Sequence, residues 1–383
     1  MGFDFVVLGA TGMQGRIVSR DLLESGYSVL MCGRDKPRVE HLLKRYKKTG
    51  FKRFDAREVY DMTEIIQKSG AKIIVNCVEG DWNLNILKAC VGAGVNCIDL
   101  GSEVWITKKQ LKMDKELREK KLISITGCGS VPGIGNVMLK YASEKFDELT
   151  TIEVGFAWNS NMEKFVVPFS IESIMWEFTK PAPVVNYRRL TTKTPMHTVT
   201  KYYYKEIGRE ETFFVIHPET YTFYKYFKNK GVKNIRFFAG FPHHSFETIR
   251  TLIGLGFSSY KPINICGAKI APAEFLTALL KRLKTPEGYK EKENLWVEIW
   301  GKKNGKPKRI LMECIVPTLK GWEDAGCNID TGMPASIIAQ MIKKGIIPER
   351  GSFAPEAVVP PQPFFEELRK KKMIVLENGR VIN

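Results

Sequence analysis

The chain has 383 residues, 44% of them hydrophobic, which is enough for two domains with sizeable cores. Its 59 Lys and Arg residues outnumber its 42 Asp and Glu residues, but they are spread along the chain without zinc-finger spacing, RNP aromatics or a long basic tail, so we expect no nucleic-acid partner. The eight cysteines form no C-x-x-C pair. We also find no signal peptide and no apolar stretch of membrane-spanning length, so we expect a cytoplasmic protein without a membrane partner.

The first predicted elements are a strand, a glycine turn and a helix. Residues 3–8 form an apolar run typical of a buried strand, and residues 16–26 have helical spacing. The turn between them has the pattern G-x-x-G-x-x-G, a variant of the dinucleotide fingerprint. Its glycines would allow a tight turn and close approach of the pyrophosphate to the helix N-terminus. We therefore predict a dinucleotide site that contains Gly9, Thr11, Gly12, Met13, Gln14 and Gly15.

The second predicted strand, residues 28–32, favours one form of the nicotinamide cofactor. The end of this strand meets the adenosine ribose, where an arginine accommodates the 2′-phosphate of NADP and a carboxylate binds the 2′-hydroxyl of NAD. Arg34 comes first after the strand, and Lys36 and Arg38 follow closely. We therefore predict NADP, while Asp35 keeps NAD open as the alternative.

Strands and helices then alternate as far as about residue 126. We predict strands at residues 51–55, 71–77, 95–99 and 122–126, and helices at residues 58–69 and 81–93. This alternation indicates an α/β fold with a Rossmann-type, doubly wound parallel sheet, in which ligands lie beyond the carboxyl ends of the strands. Cys77, Val78 and Gly127 follow two of these strands, so we expect them at the nicotinamide.

From about residue 150 the pattern becomes richer in β-branched and aromatic residues. Strands are predicted at residues 151–158, 199–204, 212–216 and 235–239, and a hairpin joins residues 295–300 to 309–316 through a turn that contains Asn304-Gly305. These elements indicate a second, α+β domain with a mostly antiparallel sheet. Helices at residues 334–344, opened by Pro334, and 364–371 and a short strand at 373–376 complete the chain.

Four motifs together resemble the saccharopine dehydrogenase-like family, in particular saccharopine reductase and lysine 6-dehydrogenase. The first is the amino-terminal fingerprint, and the second is the glycine-rich loop at residues 127–136. The third combines Gly240-Phe241-Pro242-His243-His244 with residues 252–257. The fourth combines Thr331-Gly332-Met333-Pro334 with Gly345 and with residues 351–356, which contain Ala354-Pro355-Glu356.

The resemblance implies an enzyme that moves a hydride between a nicotinamide and a carbon bearing an amino-acid side-chain nitrogen. It implies that the carboxyl-terminal segment returns to the nucleotide-binding domain and that subunits pair as a homodimer. We therefore expect residues 1–130 plus 321–383 to form the dinucleotide-binding domain, and residues 131–320 the substrate-binding and dimerisation domain. The resemblance also implies that Pro132 and Gly133 lie near the nicotinamide, and that Trp105, Asn136 and Glu172 belong to the substrate site.

The sequence departs from this family where the chemistry should occur. Saccharopine reductases have a proposed acid/base aspartate directly before the Pro-Gly pair, and Val131 in that position cannot transfer a proton. Phe237-Phe238 replace an Arg-Tyr pair whose arginine holds a substrate carboxylate, and Arg236, one residue away, would face the other side of a strand. Asn136 and the Ala-Pro-Glu motif are more similar to lysine 6-dehydrogenase.

Several side chains are candidates for proton transfer and substrate binding. Glu79 follows the fourth strand, where nicotinamide and substrate should meet, and Asp114 lies on a charged helix. His243 and His244 belong to the third motif, and either could bind a carboxylate or carry a proton near neutral pH. Arg250 could pair with a substrate carboxylate. The histidines and cysteines form no cluster with metal-ligand spacing, so we predict no metal site.

These observations predict an NAD(P)-dependent oxidoreductase that acts on a C–N bond of an amino acid, most similar to lysine 6-dehydrogenase. A saccharopine reductase, or an imine reductase of the carboxynorspermidine dehydrogenase type, is the alternative. A non-catalytic NADP-binding redox sensor is a further alternative from another class, since Val131 and the displaced arginine remove two expected functional groups.

Overall fold

The computed structural model describes residues 2–57, 59–101, 103–167 and 170–383. In the first part of the chain, strands and helices alternate as the sequence predicts. The strands are β1 (Phe5–Leu8), β2 (Val29–Gly33), β3 (Thr49–Arg53), β4 (Ile73–Asn76), β5 (Asn96–Asp99) and β6 (Ile123–Ile125). The helices are α1 (Met13–Glu24), α2 (Glu40–Arg45), α3 (Val59–Ser69), α4 (Asn83–Ala93), α5 (Val104–Leu111), α6 (Asp114–Glu119) and α7 (Ile134–Ser143). Glu58, the expected first residue of one helix, lies outside the described residues.

These strands form a parallel sheet with β1 at its centre, in the order β17-β6-β5-β4-β1-β2-β3, where β17 is Gly351–Phe353. All four residues of β1 are buried. Phe5 and Val7 belong to one hydrophobic cluster and Val6 and Leu8 to another, because alternate side chains of a strand point to opposite faces. Helices therefore cover both faces, and the predicted Rossmann-type fold is confirmed. The carboxyl ends of the strands share one edge, where ligands bind.

The second part of the chain is mostly β. Its strands are β7 (Glu148–Ser160), β8 (Ala182–Asn186), β9 (Arg189–Lys193), β10 (Thr198–Tyr204), β11 (Gly208–Phe214), β12 (Asn234–Gly240), β13 (Ile263–Ile265), β14 (Ala268–Ile270), β15 (Glu291–Lys303) and β16 (Lys306–Pro317). Its helices are α8 (Ile171–Glu177), α9 (Glu219–Phe227), α10 (His243–Gly254) and α11 (Pro272–Leu280).

The larger sheet of this part has the order β10-β11-β12-β7-β15-β16-β18-β19, where β18 is Ile374–Glu377 and β19 is Arg380–Val381. In this order, β7 and β12 pair in parallel, and every other pair of neighbouring strands is antiparallel. The expected mostly antiparallel sheet is therefore confirmed. The predicted hairpin is the β15–β16 pair, which turns at Asn304-Gly305. Leu295, Val297 and Ile299 share the cluster that α7 enters through Val137, so the two parts pack around one continuous core.

The remaining helices are α12 (Ile329–Lys343), α13 (Pro355–Val358) and α14 (Pro361–Lys370). The expected start of α12 at Pro334 is wrong, because the helix begins at Ile329 and Pro334 lies inside it. Helix α12 packs against α1. The segment 321–383 contributes β17 to the parallel sheet and β18 and β19 to the larger sheet, so the domain boundaries given above stay a prediction.

Candidate functional site

The glycine turn between β1 and α1 leaves space for a ligand at the helix start. Gly9 has φ +76°, and a Cβ on Gly15 would overlap the carbonyl oxygen of Gly9, so side chains at these positions would disrupt the turn. Gly12 is the N-cap of α1, and no side chain caps the first N–H groups of this helix. These donors and the positive end of the helix dipole are suited to a pyrophosphate. Met13 is 40% exposed at this end.

Arginines surround the outer end of the turn. Arg38 donates a hydrogen bond to the carbonyl oxygen of Thr11 at 3.4 Å. Burial, followed by the positive charge of Arg38, lowers the pKa of Arg16, so the two guanidinium groups lie close together. Asp35 is exposed and lies 3.9 Å from Arg38. The positive charges of Arg16 and Arg38 exceed the single negative charge of Asp35, so a further anion can bind here. The 2′-phosphate of NADP is an anion of this kind.

Gln14 connects the turn to the carboxyl-terminal part of the chain. Its Nε2 donates to Oδ1 of Asn328 at 3.2 Å, directly before α12. Gly332 of α12 has no room for a Cβ, because Ile17 of α1 occupies that space. The start of α12 therefore holds the start of α1 in place.

The carboxyl ends of β4, β5 and β6 are held together by a buried polar network. Asp99 accepts hydrogen bonds from the N–H groups of Gly101 (2.8 Å) and Gly127 (3.1 Å), from Thr126 Oγ1 (2.9 Å) and from Gln110 Nε2 (2.7 Å). Asn76 accepts from the N–H of Val78 at 3.0 Å. This network fixes the predicted nicotinamide wall, and it occupies Asp99 fully.

The loop 127–133 closes this wall. Its Gly129 N–H donates to the carbonyl oxygen of Pro132 at 2.8 Å, and a Cβ on Gly127 would lie 2.8 Å from the Pro132 ring. Gly133 has φ +139°, in a region that favours glycine. Asn136 is 1% exposed and bonded at both ends of its amide, accepting from Gly133 N–H at 2.8 Å and donating to Glu356 at 2.7 Å.

Carboxylates gather beyond the carboxyl ends of β4 and β5, beside the second part of the chain, and we call Glu79, Asp81, Glu103 and Glu172 the acidic rim. The side chain of Glu79 is exposed, but its pKa is raised. The main cause is the loss of solvation by the surrounding protein, and the second is the negative charge of Glu172. Asp81 acts in the same direction on Glu79 and on Glu103, so the four carboxylates are close enough to interact. Glu172 lies on α8 of the second part and forms an ion pair with Lys281 at 2.8 Å. Both parts of the chain therefore contribute to the rim.

Exposed aromatic side chains accompany the acidic rim. Trp105 is 51% exposed and its Nε1 donates to Glu103 at 2.8 Å. Trp176, on the same helix as Glu172, is 39% exposed, and Lys180 Nζ lies 4.5 Å from its ring centre. Burial and then the charges of Glu172, Glu274 and Glu79 raise the pKa of Tyr260, which lies at the same opening. Aromatic faces beside carboxylates attract cations.

The third motif lies where β12 ends and α10 begins. His243 is exposed at the start of α10, and Nε2 of His244 lies 3.3 Å from the carbonyl oxygen of Lys164. Arg250 is exposed on the same helix and is paired with Glu247 at 2.5 Å. Arg236 is paired with Glu153 at 2.7 Å, while Phe237 stacks on His217, so their side chains leave the strand on opposite faces as expected.

The structure does not bring Asp114 to the ligand edge of the sheet. This carboxylate accepts from Arg118 at 2.8 Å and from the N–H of Ser352 at 2.9 Å, next to the first residue of β17. Burial acts to raise its pKa, but these hydrogen bonds outweigh it and lower the pKa. The amino end of a parallel strand is the edge opposite the ligand site, so Asp114 connects α6 to β17 instead.

Sequence reasoning missed a buried group of acids behind the nicotinamide wall. Glu356 is 3% exposed, and burial raises its pKa to about 7. Oε2 of Glu219 and Nδ1 of His217 share a hydrogen bond of 2.6 Å. Glu177 is close enough to both residues to interact with their charges. The sequence offered one signal, the Ala-Pro-Glu motif. Arg16 was also missed, although it directly follows the last glycine of the fingerprint.

Comparison with known proteins gives the family. Residues 5–125 match the saccharopine dehydrogenase NADP binding domain, and residues 129–374 match the saccharopine dehydrogenase C-terminal domain. The chain belongs to the saccharopine dehydrogenase family. It is an NADP-binding oxidoreductase of this family, and the expected resemblance and the preference for NADP are confirmed.

Relatives across nearly the whole chain are dehydrogenases and synthases. Carboxyaminopropylagmatine dehydrogenase from Synechocystis is 23% identical over 95% of this chain and 94% of its own length. Carboxynorspermidine synthase from Vibrio cholerae is 22% identical over 84% of this chain and 81% of its own length. Apo saccharopine dehydrogenase (L-Glu forming) from Saccharomyces cerevisiae has the same fold, with a TM-score of 0.74, 12% identity and full coverage of both chains.

Within the described ranges, no three His, Cys, Asp or Glu side chains are grouped so that they could hold a metal ion. No helix formed by the described residues has the length and apolar character needed to cross a bilayer.

Proposed function

We propose that this protein is an NADPH-dependent reductase of an imine formed between a primary amine of a polyamine-like substrate and an aldehyde that carries an amino-acid group. The acidic rim and its aromatic neighbours support this proposal most directly. The rim concentrates negative charge at the mouth of a cleft in a chain whose formal net charge is +17. A substrate with additional ammonium groups would be attracted by both the carboxylates and the exposed rings.

The composition of the rim argues against saccharopine itself. Saccharopine carries three carboxylates, which the rim would repel, and both Arg250, the predicted carboxylate partner, and Arg236, the arginine nearest to the family's position, are engaged elsewhere. Arg236 is paired with Glu153, and Arg250 with Glu247. The names of two relatives point the same way, because carboxyaminopropylagmatine and carboxynorspermidine are amines with several positive charges and one amino-acid group.

The lysine 6-dehydrogenase prediction rests on Asn136 and Glu356. These two side chains are bonded to each other at 2.7 Å and are 1% and 3% exposed, so they are not at the open cleft. The comparisons do not support lysine 6-dehydrogenase specifically. The homodimer and the cytoplasmic location likewise stay predictions.

The residues support a division of labour for hydride transfer. The glycine turn and Arg16, Arg34 and Arg38 would hold the pyrophosphate and the 2′-phosphate. NADPH supplies the hydride when bound. The wall made by Cys77, Gly127 and Pro132 would orient the ring, and the acidic rim would hold the amine. Orientation is the main requirement, because the two reacting carbons must approach to about 3–3.5 Å.

The test is a substrate panel followed by nicotinamide absorbance. Diaminopropane and agmatine are each mixed with aspartate semialdehyde and NADPH, and lysine and saccharopine are tested with NADP. We expect the highest kcat/KM with a polyamine-derived imine, and a fall in kcat/KM when ionic strength rises from about 0.05 to about 0.5 M, because salt screens the rim. A higher kcat/KM with lysine or saccharopine would contradict the proposal.

A further inference from the structure

A small cavity lies directly behind the predicted nicotinamide wall. Gly101, Gly127 and Pro132 line it on the side of the wall, and Asn136 of α7 and Thr222 of α9 also line it. Its volume is about 10 Å³, close to the least that holds one water molecule. Thr107, Thr126, Asn136 and Thr222 supply polar side chains to a lining that otherwise consists of glycines, prolines and Ala354, and a buried water needs such polar partners.

Thr222 lines this cavity, Glu356 is bonded to the lining residue Asn136, and Glu219 directly follows the lining residue Pro218. Thr222 Oγ1, Glu356 Oε1 and Glu219 Oε1 are buried and have no hydrogen-bond partner of good geometry. Thr222 and Glu356 are each 3% exposed, and Glu219 is fully buried. Buried polar atoms are normally hydrogen-bonded, so the unpartnered Thr222 hydroxyl at the cavity and the unpartnered carboxylate oxygens beside it indicate that a water belongs there.

These atoms belong to one group of interacting side chains. Thr222 is one helical turn after Glu219 on α9, and it lies close enough to Glu356 to favour the ionised form of that carboxyl. Glu219 also acts on Glu356 through its charge and is bonded to His217 at 2.6 Å. His217 interacts in turn with Glu177, which is only half-buried. The group therefore extends from the cavity towards solvent.

Two acids of this group, Glu356 and Glu177, have pKa values raised towards neutrality. Burial raises the pKa of Glu356 and that of Glu177 to about 7 in each case. Burial acts to lower the pKa of His217, but the negative charges of Glu219 and Glu177 outweigh it and raise the pKa. The other charged or titratable groups that face Glu356 are Tyr226 and Lys140.

We propose that the cavity holds a water molecule that passes a proton from Glu356, through the Thr222 hydroxyl, to the substrate nitrogen at the nicotinamide wall. This inference rests on the proposed function and adds the source of its proton. The imine nitrogen gains the proton, the imine carbon gains the hydride from NADPH, and the C=N double bond becomes a single bond. The products are a secondary amine and NADP, and Glu356 is left ionised.

The His217–Glu219 pair and Glu177 then return a proton to Glu356 from solvent. The water and Thr222 deliver the proton that an acid at position 131 would otherwise supply. Val131 cannot supply it, because a valine side chain has no exchangeable proton. Glu356 acts through the water, so it is a positioning and proton-holding residue and does not touch the substrate.

The test compares three variants of the full-length protein. Glu356→Gln keeps the acceptor for Asn136 but removes the proton, and Thr222→Val keeps the shape but removes the hydroxyl. Glu210→Gln is the matched control, because Glu210 is also buried, has a pKa raised by burial to about 7 and accepts from an asparagine, Asn159, at 2.8 Å. NADPH affinity and Tm are measured for each variant as checks of folding.

We expect kcat for imine reduction to fall by about 100-fold in Glu356→Gln and to lose its pH dependence near 7, since proton transfer of this kind contributes about 10²–10⁴-fold. Thr222→Val should show a similar loss, and Glu210→Gln should stay within about twofold of the wild type. NADPH affinity should be unchanged in all three. An unchanged kcat and pH profile in Glu356→Gln, or the same loss in Glu210→Gln, would overturn the inference.

Two measurements need no turnover, so they separate this inference from the proposed function. A crystal structure should show a water in the wild-type cavity that is absent from Thr222→Val. Infrared difference spectra between pH 6 and pH 8 should show a protonated carboxyl signal that is smaller in Glu356→Gln, where Glu177 and Glu210, whose pKa values burial also raises to about 7, still contribute. If the wild type reduced none of the imines, the proposed function would fail; a dry cavity, or a carboxyl signal undiminished in Glu356→Gln, would overturn the inference by itself.

Discussion

The two ends of the cleft carry opposite charge. At the cofactor end, Arg16 and Arg38 stand together beside the glycine turn. At the substrate end, the acidic rim collects four carboxylates. The two ends are neighbours, because the charge of Arg34 acts on Glu79. A net charge of +17 therefore says little about either ligand, and the local distribution of charge is informative.

The division follows from the order of strands in the sheet. The cofactor end is built from the ends of β1 and β2, and the rim begins at the ends of β4 and β5. Each end can thus be changed by substitutions that leave the other intact. Variants at the two ends should affect either the nucleotide or the amine, and this is the basis of the predictions below.

The largest effect is expected from Gly15→Ala. The added Cβ would overlap the carbonyl oxygen of Gly9, which must shift, and such overpacking costs about 1–3 kcal/mol. If this cost falls on the bound state, the Kd for NADPH should rise by up to about 150-fold, as titration of protein fluorescence would measure. Gly92→Ala is the control, because a Cβ there meets nothing within 4 Å. Unchanged NADPH binding in Gly15→Ala would contradict the assignment of the turn.

A smaller and more selective effect is expected from Arg38→Gln. Losing one charged partner of the 2′-phosphate should cost about 1.5–3 kcal/mol, which corresponds to a Kd for NADPH raised about 10- to 100-fold. The Kd for NADH should not change, so the ratio of the two values is the measurement. Arg369→Gln, on the exposed surface of α14, is the control. Equal losses for NADPH and NADH would place the 2′-phosphate elsewhere.

The rim should show a moderate effect on the amine alone. In the double variant Asp81→Asn, Glu103→Gln, the amide of residue 103 can still accept from Trp105, so mainly charge is removed. Exposed pairs contribute about 0.2–1 kcal/mol each, so we expect the KM for the amine to rise about 2- to 10-fold with a weaker salt dependence. Glu144→Gln, at the far end of α7, should change neither. A changed KM for NADPH would contradict the separation of the two ends.

The smallest effect concerns stability and pH. Burial raises the pKa of Glu210 to about 7 from an ordinary value of 4.5, so the folded protein holds this proton more tightly than the unfolded chain. The free energy of unfolding should therefore fall as pH rises from about 4.5 to 7. Glu210→Gln removes the cost of ionising this group, and we expect its Tm to exceed that of the wild type by about 2–4 °C at pH 8 and to match it near pH 4.5. A Tm difference that does not vary with pH would contradict this.

The sequence predicted what depends on local pattern. The apolar run of β1 and the spacing of Gly9, Gly12 and Gly15 are local, and they indicated the first strand, the turn and the dinucleotide site. The hairpin around Asn304-Gly305 was also local. The predicted start of α12 at Pro334 was wrong. Proline is common in the first turn of a helix, but this helix packs against α1 and begins earlier, at Ile329.

The site was harder to predict because its parts come from distant positions. Asn136 and Glu356 are bonded although 220 residues separate them in the chain. His217 and Glu219 belong to no known motif, and only the packing of α9 beside the cavity relates them to Glu356. The charged sequence around Asp114 also did not indicate that its carboxylate would accept a hydrogen bond from β17, at the edge of the sheet opposite the ligand site. Sequence spacing does not contain such contacts.

The return of the chain through both sheets has a consequence for biosynthesis. Strand β17 pairs with β6, and β18 pairs with β16, so neither sheet has all its strands until the last segment has emerged from the ribosome. Closing contacts over such sequence separations is slow. A nascent chain paused before residue 351 would have an uncovered edge at β6, where another chain could pair.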